Sequence, residues 1–443
     1  MESFRIAGHR IDPSLNRVVV PDGATVQVEP KVMSVLVALA ERQGEVVTRD
    51  ELLSRVWPGV HVTDDALHRT IRELRRLFGD DADAPRVIET IRKRGYRLIA
   101  AVELGGAADD VRRRMQDPGR ATFQIDRNIN YTNVCIYRCT FCAFYRKAGD
   151  PEGYVLPLSD IGAKVEETLA LGGTGVLLQG GVHAELPFAF YEDLLGFLRE
   201  KYAKIHRHAF SAPEIFFLAK KERATIAEVL KRLQTAGLMS VPGGGAEILD
   251  DALRRRVWAL TNAPVAKWAE VHREAHRLGM PTTATMMFGV GESYEQRVNH
   301  FEVIRRIQDA SLAEHVESFT AFIPWTFQEE NTVLEGTVEL ASGYEYLRTM
   351  ALSRLYLDNV PHVQGSWLTQ GRKIGSVSLS FGADDLGSIM IEENVVAAAG
   401  SHNRMTREGM LALIRDAGFT PVQRGSVYDR CREACCRDLA ALA

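Results

Sequence analysis

The chain has 443 residues, of which 46% are hydrophobic and 25% charged, with a formal net charge of −4. The composition is that of an ordinary globular protein. The length exceeds that of one ordinary hydrophobic core, so two domains are expected. The net charge of the whole chain gives no hint of a polyanionic partner. The charged N-terminus is not expected to be a signal peptide, and no run reaches the roughly 18 apolar residues of a membrane span. A reducing, cytoplasmic location is therefore expected.

Residues 1–100 predict a small α+β domain. Apolar residues at helical spacing mark a first helix, namely Val32, Val35, Leu36 and Leu39. Thr48 and Glu51 form a capping box that opens a second helix. A third helix runs to about Phe78, and two β-type runs follow at 87–91 and 96–99.

This order of elements resembles a winged helix-turn-helix. The segments Glu51–Trp57, Leu74–Asp80 and Ile88–Tyr96 are similar to the C-terminal DNA-binding domain of response-regulator-type activators. In such domains the third helix enters the major groove and the hairpin reaches the backbone or minor groove of double-stranded DNA. The resemblance implies that six basic residues form the DNA-binding set, namely Arg69, Arg72, Arg76, Arg92, Lys93 and Arg94. The alternative is a solvated charged face on a winged helix that binds protein or nothing.

Residues 101–120 read as a linker and lead-in helix, residues 121–430 as a barrel, and residues 431–443 as a tail. In the barrel segment, short β-rich runs alternate with amphipathic helices, which is typical of a parallel (β/α)8 barrel. The predicted strands are 122–125, 175–179, 205–210, 240–243, 282–288, 319–322, 362–365 and 376–381. Two of the predicted helices are 160–171 and 294–309.

Three cysteines after the first predicted strand have the spacing C-x3-C-x2-C, namely Cys135, Cys139 and Cys142. This spacing lets three thiolates of one loop reach three corners of a [4Fe–4S] cluster and leaves the fourth iron open. Zinc is the main competitor, although structural zinc sites use four ligands. A disulfide is a further alternative. A second trio, Cys431, Cys435 and Cys436, is interpreted as incidental thiols, with a second cluster as the alternative.

The cysteine motif, with Phe141 before its last cysteine, resembles the radical S-adenosylmethionine (SAM) superfamily. Its flanks, Arg127–Val134 and Ala143–Arg146, resemble the branch that contains the dehypoxanthine futalosine cyclases, aminofutalosine synthases and F0 synthases. Four later segments resemble the cyclases, namely Pro242–Leu249, Ala284–Gly289, Phe319–Trp325 and Ser388–Val396. The resemblance covers residues 103–427, and the winged helix stands where the cyclases have a longer helical lead-in.

The resemblance implies a reaction of menaquinone biosynthesis. An electron from the cluster would cleave SAM, and the 5′-deoxyadenosyl radical would abstract the ribose C4′ hydrogen of dehypoxanthine futalosine before cyclisation. The implied partners are this substrate and a flavodoxin or ferredoxin. The alternatives are a sibling synthase, or a DNA-binding regulator that uses its barrel as a sensor.

The resemblance and the strand-end positions suggest further site residues, because barrel enzymes place working groups at the C-terminal ends of strands. Cofactor binding is expected from Phe141, Gly180, Gly181, Ser211, Glu214 and Glu247. Substrate binding is expected from Trp325, Ser366, Thr369, Asp384 and Asp385. The glycines could be a simple turn, since Val182 stands where the family has an acidic residue, and Asp384 departs from the family's usual Asn. Arg254–Arg256 could hold the SAM carboxylate or be charged helix surface.

Overall fold

The computed structural model describes residues 4–7, 9–20, 23–59, 64–99, 102–257 and 264–428. The chain divides into two compact units, residues 1–107 and 108–443. Among the described residues, none of the helices is long and apolar enough to cross a membrane. The second cysteine trio, at 431–436, lies outside the described residues.

The described residues of the first unit form two antiparallel sheets and three α-helices. Its strands are β1 (Phe4–Ile6), β2 (His9–Asp12), β3 (Arg17–Val19), β4 (Thr25–Gln27), β5 (Val47–Thr48), β6 (Ile88–Ile91) and β7 (Gly95–Leu98). Its helices are α1 (Pro30–Glu41), α2 (Arg49–Val56) and α3 (Asp64–Phe78). Strands β1 to β4 pair in sequence, and β7 lies between β5 and β6.

The helices of this unit form where the sequence predicts them. The predicted capping box is present at the start of α2, where the Glu51 amide donates to Thr48 Oγ1 at 3.2 Å and the Thr48 amide donates to Glu51 Oε2 at 2.7 Å. Helix α3 buries Leu67, Ile71 and Leu74 against the core. The winged-helix prediction is therefore confirmed in its order of helix, helix, helix and hairpin.

The second unit alternates strands and helices. The strands are β8 (Arg120–Gln124), β9 (Asp126–Ile129), β10 (Gly175–Leu178), β11 (His206–Ala209), β12 (Thr282–Phe288), β13 (Phe319–Thr326), β14 (His362–Val363), β15 (Asp385–Ser388) and β16 (Thr420–Arg424). Helix α4 (Val102–Met115) begins before the boundary at residue 108. The helices that follow are α5 (Leu158–Ala170), α6 (Phe188–Lys201), α7 (Ala212–Glu222), α8 (Ile226–Ala236), α9 (Asp251–Val257), α10 (Val265–Arg277), α11 (Tyr294–Ala313), α12 (Gly343–Tyr356), α13 (Trp367–Ser378) and α14 (Arg407–Asp416).

Parallel pairing closes these strands into a ring. β9, β10 and β11 pair in turn, and single bridges at Ser240 and Val241 connect β11 to β12. β12, β13 and β14 follow, a bridge from Gln364 to Asp385 leads to β15, and β15 pairs with β8. Because β8 and β9 are consecutive parts of one strand, the ring is a (β/α)8 barrel. β16 pairs with β8 as an addition to it.

One strand prediction is wrong. Residues 376–381 alternate polar and apolar residues, as a strand does, but Ser376–Ser378 end helix α13 and the chain then turns at Gly382, where φ is +97°. The eighth barrel strand is β15, which the sequence analysis missed. The predicted strand at 240–243 contributes only the two bridges, since Pro242 has no amide hydrogen to donate.

Candidate active site

The C-terminal ends of the barrel strands surround a cavity of about 410 Å³. All three cysteines of the motif line it, together with Phe141 and Glu247. The first strand continues into the cysteine loop, and the loop is fixed by backbone bonds from the Cys135 amide to the Arg146 carbonyl at 2.9 Å and from the Ile136 amide to the Val182 carbonyl at 3.0 Å. The fold therefore brings the predicted thiols to the mouth of the barrel.

The three thiols are close enough to influence one another. Burial raises the pKa of Cys139 well above its usual value, and the neighbouring Cys142 and Cys135 raise it further. No three His, Cys, Asp or Glu side chains of the described ranges converge on a single ion. Three cysteines on one loop suit a cubane, in which each thiolate binds a different iron. A structural zinc site would need a fourth ligand.

Glu247 is an unusual carboxylate in this cavity. Its φ of 36° is positive, its Oε2 is buried with no hydrogen-bond partner, and burial raises its pKa to about 7. Arg254 supports the preceding turn by donating to the Ala246 carbonyl at 2.8 Å and the Gly245 carbonyl at 3.0 Å. An unsatisfied carboxylate oxygen facing a cavity is arranged to accept hydrogen bonds from a ligand.

Gly180 and Gly181 line the cavity because larger residues do not fit there. A Cβ at Gly180 would lie 2.6 Å from the Tyr131 ring, and one at Gly181 would overlap the Val134 carbonyl. The absence of a side chain at these two glycines therefore lets the strand end pack against Tyr131 and the start of the cysteine loop.

The far strands contribute Trp325, Ser366 and Thr369 to the cavity lining. Ser366 Oγ and Thr369 Oγ1 share one hydrogen bond of 2.9 Å, in which either hydroxyl can donate, and the Ser366 amide donates to Tyr346 Oη at 2.6 Å. The hydroxyls form a preorganised polar pair in the cavity lining.

Residues 129–304 match the radical SAM superfamily, residues 316–435 match the CofH/MqnC C-terminal region, and residues 23–98 match the C-terminal domain of transcriptional regulatory proteins. A cyclic dehypoxanthine futalosine synthase of Halalkalibacterium halodurans is 43% identical over 334 residues, 75% of this chain and 88% of that protein. The chain belongs to the radical SAM family. It is a radical SAM enzyme, and this family uses SAM and an iron–sulfur cluster.

This radical SAM chain is also similar to a second curated enzyme and to a solved structure. An aminodeoxyfutalosine synthase of Thermus thermophilus is 38% identical over 309 residues, 69% of this chain and 82% of that protein. The crystal structure of methylornithine synthase shares the fold, with a TM-score of 0.55 and 17% identity over 87% of this chain and 98% of that one. The first relative carries the name of the sibling activity that the sequence left as an alternative. The likeness to the second supports the predicted barrel fold alone.

The cavity fits the cofactors of a radical SAM enzyme. The three thiols supply iron ligands on one loop, and the unpartnered Glu247 Oε2 supplies an acceptor beside them. Metal binding requires deprotonated thiols, so a bound cluster would reverse the upward pKa shifts that burial causes here.

Three predicted site residues do not line the cavity of the described structure. Glu214 is a capping residue of α7, where its Oε2 accepts from the Ser211 amide at 2.7 Å, although Ser211 itself reaches the cavity. Asp384 accepts from Arg354 at 2.5 Å, and Asp385 accepts from Arg424 at 2.5 Å. Because buried charges need partners, each of these two carboxylates pairs with an arginine of the protein, and neither lines the cavity.

The six basic residues of the predicted DNA-binding set are all exposed, three on α3 and three in the β6–β7 turn. Arg75, between them, joins the two elements by donating to the Ile88 carbonyl at 2.8 Å and to Thr90 Oγ1 at 2.9 Å. The helix and the hairpin are therefore fixed relative to each other within this unit.

The first barrel strand carries a row of polar side chains that was not predicted from the sequence. Every second side chain there lines the cavity, namely Gln124, Asp126, Asn128 and Asn130. The alternation of polar residues through 124–130 was visible in the sequence, but the strand was predicted to end at Ile125. Arg424, on the missed strand β16, also reaches the cavity.

Proposed function

We propose that this chain cyclises dehypoxanthine futalosine in menaquinone biosynthesis, by abstraction of the ribose C4′ hydrogen. The observation that carries the proposal is that Cys135, Cys139, Cys142 and Glu247 face one cavity at the C-terminal ends of the barrel strands. The higher identity to a cyclic dehypoxanthine futalosine synthase, 43% against 38% for an aminodeoxyfutalosine synthase, favours the cyclisation over the sibling reaction.

Cys135, Cys139 and Cys142 would hold a [4Fe–4S] cluster, and the chemistry that it would supply is one electron for the cleavage of SAM into methionine and a 5′-deoxyadenosyl radical. Glu247 accepts hydrogen bonds from the ribose hydroxyls of SAM. The backbone at Gly180 and Gly181 borders the methionine part, and Phe141 packs against the adenine. Arg254 acts indirectly, because its guanidinium donates to the turn that precedes Glu247.

Trp325, Ser366 and Thr369 line the cavity at the ends of other strands and hold the substrate. Tryptophan offers a flat apolar face to the aromatic ring of the substrate, and the two hydroxyls offer donors and acceptors to its ribose. Holding C4′ in contact with the reacting carbon supplies much of the rate. A flavodoxin or ferredoxin delivers the electron.

The test uses anaerobically reconstituted full-length protein, SAM, a reductant and dehypoxanthine futalosine with deuterium at C4′. We expect deuterated 5′-deoxyadenosine and a product two hydrogens lighter than the substrate, both read by mass spectrometry. An adenosylated product would indicate the sibling synthase. Unlabelled 5′-deoxyadenosine would show that C4′ is not the site of abstraction.

The first unit supports a second function, binding of double-stranded DNA. The observation in its favour is the exposure of six basic residues on two elements that Arg75 joins. Arg69, Arg72 and Arg76 on α3 suit the major groove, and the turn at Arg92–Arg94 suits the adjacent backbone. Fluorescence anisotropy of labelled duplex with the full-length protein at low salt tests DNA binding. If the barrel only senses a ligand, the deuterium transfer described above will not occur.

A further inference from the structure

The cavity offers few groups that could accept a proton. Among the described residues that line it, the carboxylates are Asp126, Glu247 and Glu393. Glu393 Oε2 accepts the Val396 amide at 2.8 Å and the Ala397 amide at 3.1 Å, which fixes it as a cap of the turn that follows. Glu247 is assigned to SAM in the proposed function. Asp126 is the carboxylate that these two roles leave for chemistry on the substrate.

Asp126 lies in the polar row of the first strand, one step deeper than Asn128. Its Oδ2 accepts from Gln124 Nε2 at 2.5 Å, a neutral donor. The charged groups that face it come from the two strands that flank β8: Arg424 on β16 and Asp385 on β15. Arg424 is already paired with Asp385 through two hydrogen bonds, so Asp126 has no cation of its own among the described salt bridges.

This environment suits a base that works near neutral pH. Burial raises the pKa of Asp126 to about 6, against the opposing effects of Ser388 and Arg424. The cavity also contains His208, whose Nδ1 lies 2.6 Å from Ser240 Oγ, but burial lowers its pKa to about 3. Burial raises the pKa of Tyr137, so its phenol stays protonated. A carboxylate with a pKa just below the working pH combines ionisation with useful basicity.

We propose that Asp126 takes the proton that the substrate's aromatic ring loses during cyclisation. This inference rests on the proposed function. Once a bond has formed between ribose C4′ and a ring carbon, the C–H bond of that ring carbon breaks. The proton passes to a carboxylate oxygen of Asp126 and the electron pair returns to the ring. The surplus electron of the ring passes to a one-electron acceptor, an oxidised iron–sulfur cluster or flavin, which restores aromaticity.

The test is Asp126→Asn in the full-length, cluster-loaded protein. The amide keeps the size of the side chain but cannot take a proton. We expect deuterium transfer from C4′ into 5′-deoxyadenosine to continue, while cyclised product per 5′-deoxyadenosine falls by about 100-fold or more, the usual scale of a lost general base. Asp126→Glu should recover part of this ratio. Asp160→Asn, the same change at an exposed position on α5, should leave the ratio unchanged.

A pH profile separates proton transfer from a structural role. In the native protein, the ratio of product to 5′-deoxyadenosine should fall as the pH falls through about 6, because Asp126 becomes protonated. The Asn variant should show no such limb. This profile of the native protein also decides the matter if the Asn variant fails to fold.

Three results would overturn the inference: a wild-type ratio in the Asn variant, a native ratio that is flat from about pH 5 to 8, or loss of deuterium transfer together with product. Failure of the proposed function is seen separately, in the native protein. Native protein that forms no cyclised product rejects the cyclisation itself, and the role of Asp126 with it.

Discussion

Arg424 holds the Asp385 carboxylate with two hydrogen bonds, from Nε to Oδ2 at 2.5 Å and from Nη2 to Oδ1 at 2.9 Å. Both side chains are buried, and Asp385 also accepts from Thr122 Oγ1 at 2.5 Å. The pair thus connects β16, β15 and β8 at the point where the barrel closes. Asp385 itself does not line the cavity, and these three bonds give its carboxylate a structural role.

We expect Arg424→Leu to destabilise the barrel by about 3–5 kcal/mol, because it leaves the Asp385 carboxylate buried without its cation. Thermal and urea unfolding of the full-length protein would measure the loss. Arg277→Leu, at the exposed pair with Glu314, is the matched control and should cost far less. A loss as small as that of the control would show that water or another group reaches Asp385.

We expect the chain to bind a single cluster, held by the three cysteines of the motif. Changing Cys135, Cys139 or Cys142 singly to Ala should abolish the visible absorbance of the reconstituted cluster and all SAM cleavage, since each thiolate holds a different iron. Replacing Cys431, Cys435 and Cys436 together by Ala should leave about four irons per chain. About eight irons in the native protein, falling in that triple variant, would reveal a second cluster.

Glu247→Gln should weaken SAM binding by about 10- to 100-fold, the usual effect of losing the charge from a hydrogen-bonded carboxylate. Calorimetric titration of the cluster-loaded protein with SAM would measure the affinity without turnover. Glu270→Gln, at a position on α10 away from the cavity lining, is the control. Unchanged affinity in Glu247→Gln would remove this residue from the SAM site.

Buried histidines should make the barrel sensitive to acid. Burial lowers the pKa of His208, His276 and His300 to about 3. Between that value and about 6.5, the ordinary histidine pKa, the unfolded chain binds protons that the folded chain does not, so stability falls as the pH falls through this window. Unfolding midpoints measured from about pH 7 to 4 should show the decline.

A histidine substitution checks the cause of this decline. His300 Nδ1 accepts the Leu249 amide at 3.0 Å, and Gln at this position offers an acceptor that does not titrate. His300→Gln should therefore reduce the pH slope by about 1.4 kcal/mol per pH unit, the contribution of one proton. The same change at exposed His402 should not reduce it. An unchanged slope in His300→Gln would assign the decline to other groups.

Local patterns in the sequence were enough to predict much of the barrel. Strand β12 has the predicted bounds, 282–288, because its run of β-branched and apolar residues is long and ends at a glycine. The spacing of the three cysteines was enough to predict the position of the cysteine loop. By contrast, β15 is four residues long and contains Gly387, so it has no strand pattern of its own. It becomes a strand because Thr122 and Arg424, distant in sequence, bind Asp385.

The site residues divide in the same way. Glu247 was predicted from a glycine-rich turn and lines the cavity. Asp384 looked equally suitable, yet His362 and Arg354 bind it and, against the effect of burial, lower its pKa. Only the fold shows which carboxylate has a protein partner. A local motif could not predict these bonds, because Arg354 and His362 lie 30 and 22 positions from Asp384 in the sequence.

Binding of DNA by the first unit should be dominated by the phosphate backbone. With six basic contacts, the logarithm of affinity should fall with the logarithm of salt concentration by nearly one unit per phosphate contacted. Replacing Arg69, Arg72 and Arg76 by Ala should weaken binding and reduce this slope by about three, because each arginine releases one counterion on binding.

The control for this experiment is Arg42→Ala, since Arg42 is already paired with Glu45 and Glu51, at 3.0 and 2.8 Å. It should change neither affinity nor slope, whereas a triple change of Arg92, Lys93 and Arg94 should act like the α3 triple. If only the α3 residues matter, the β6–β7 turn does not contact the duplex. If the native protein binds no duplex even at about 50 mM salt, where electrostatic binding is strong, the exposed arginines serve a protein partner or remain solvated.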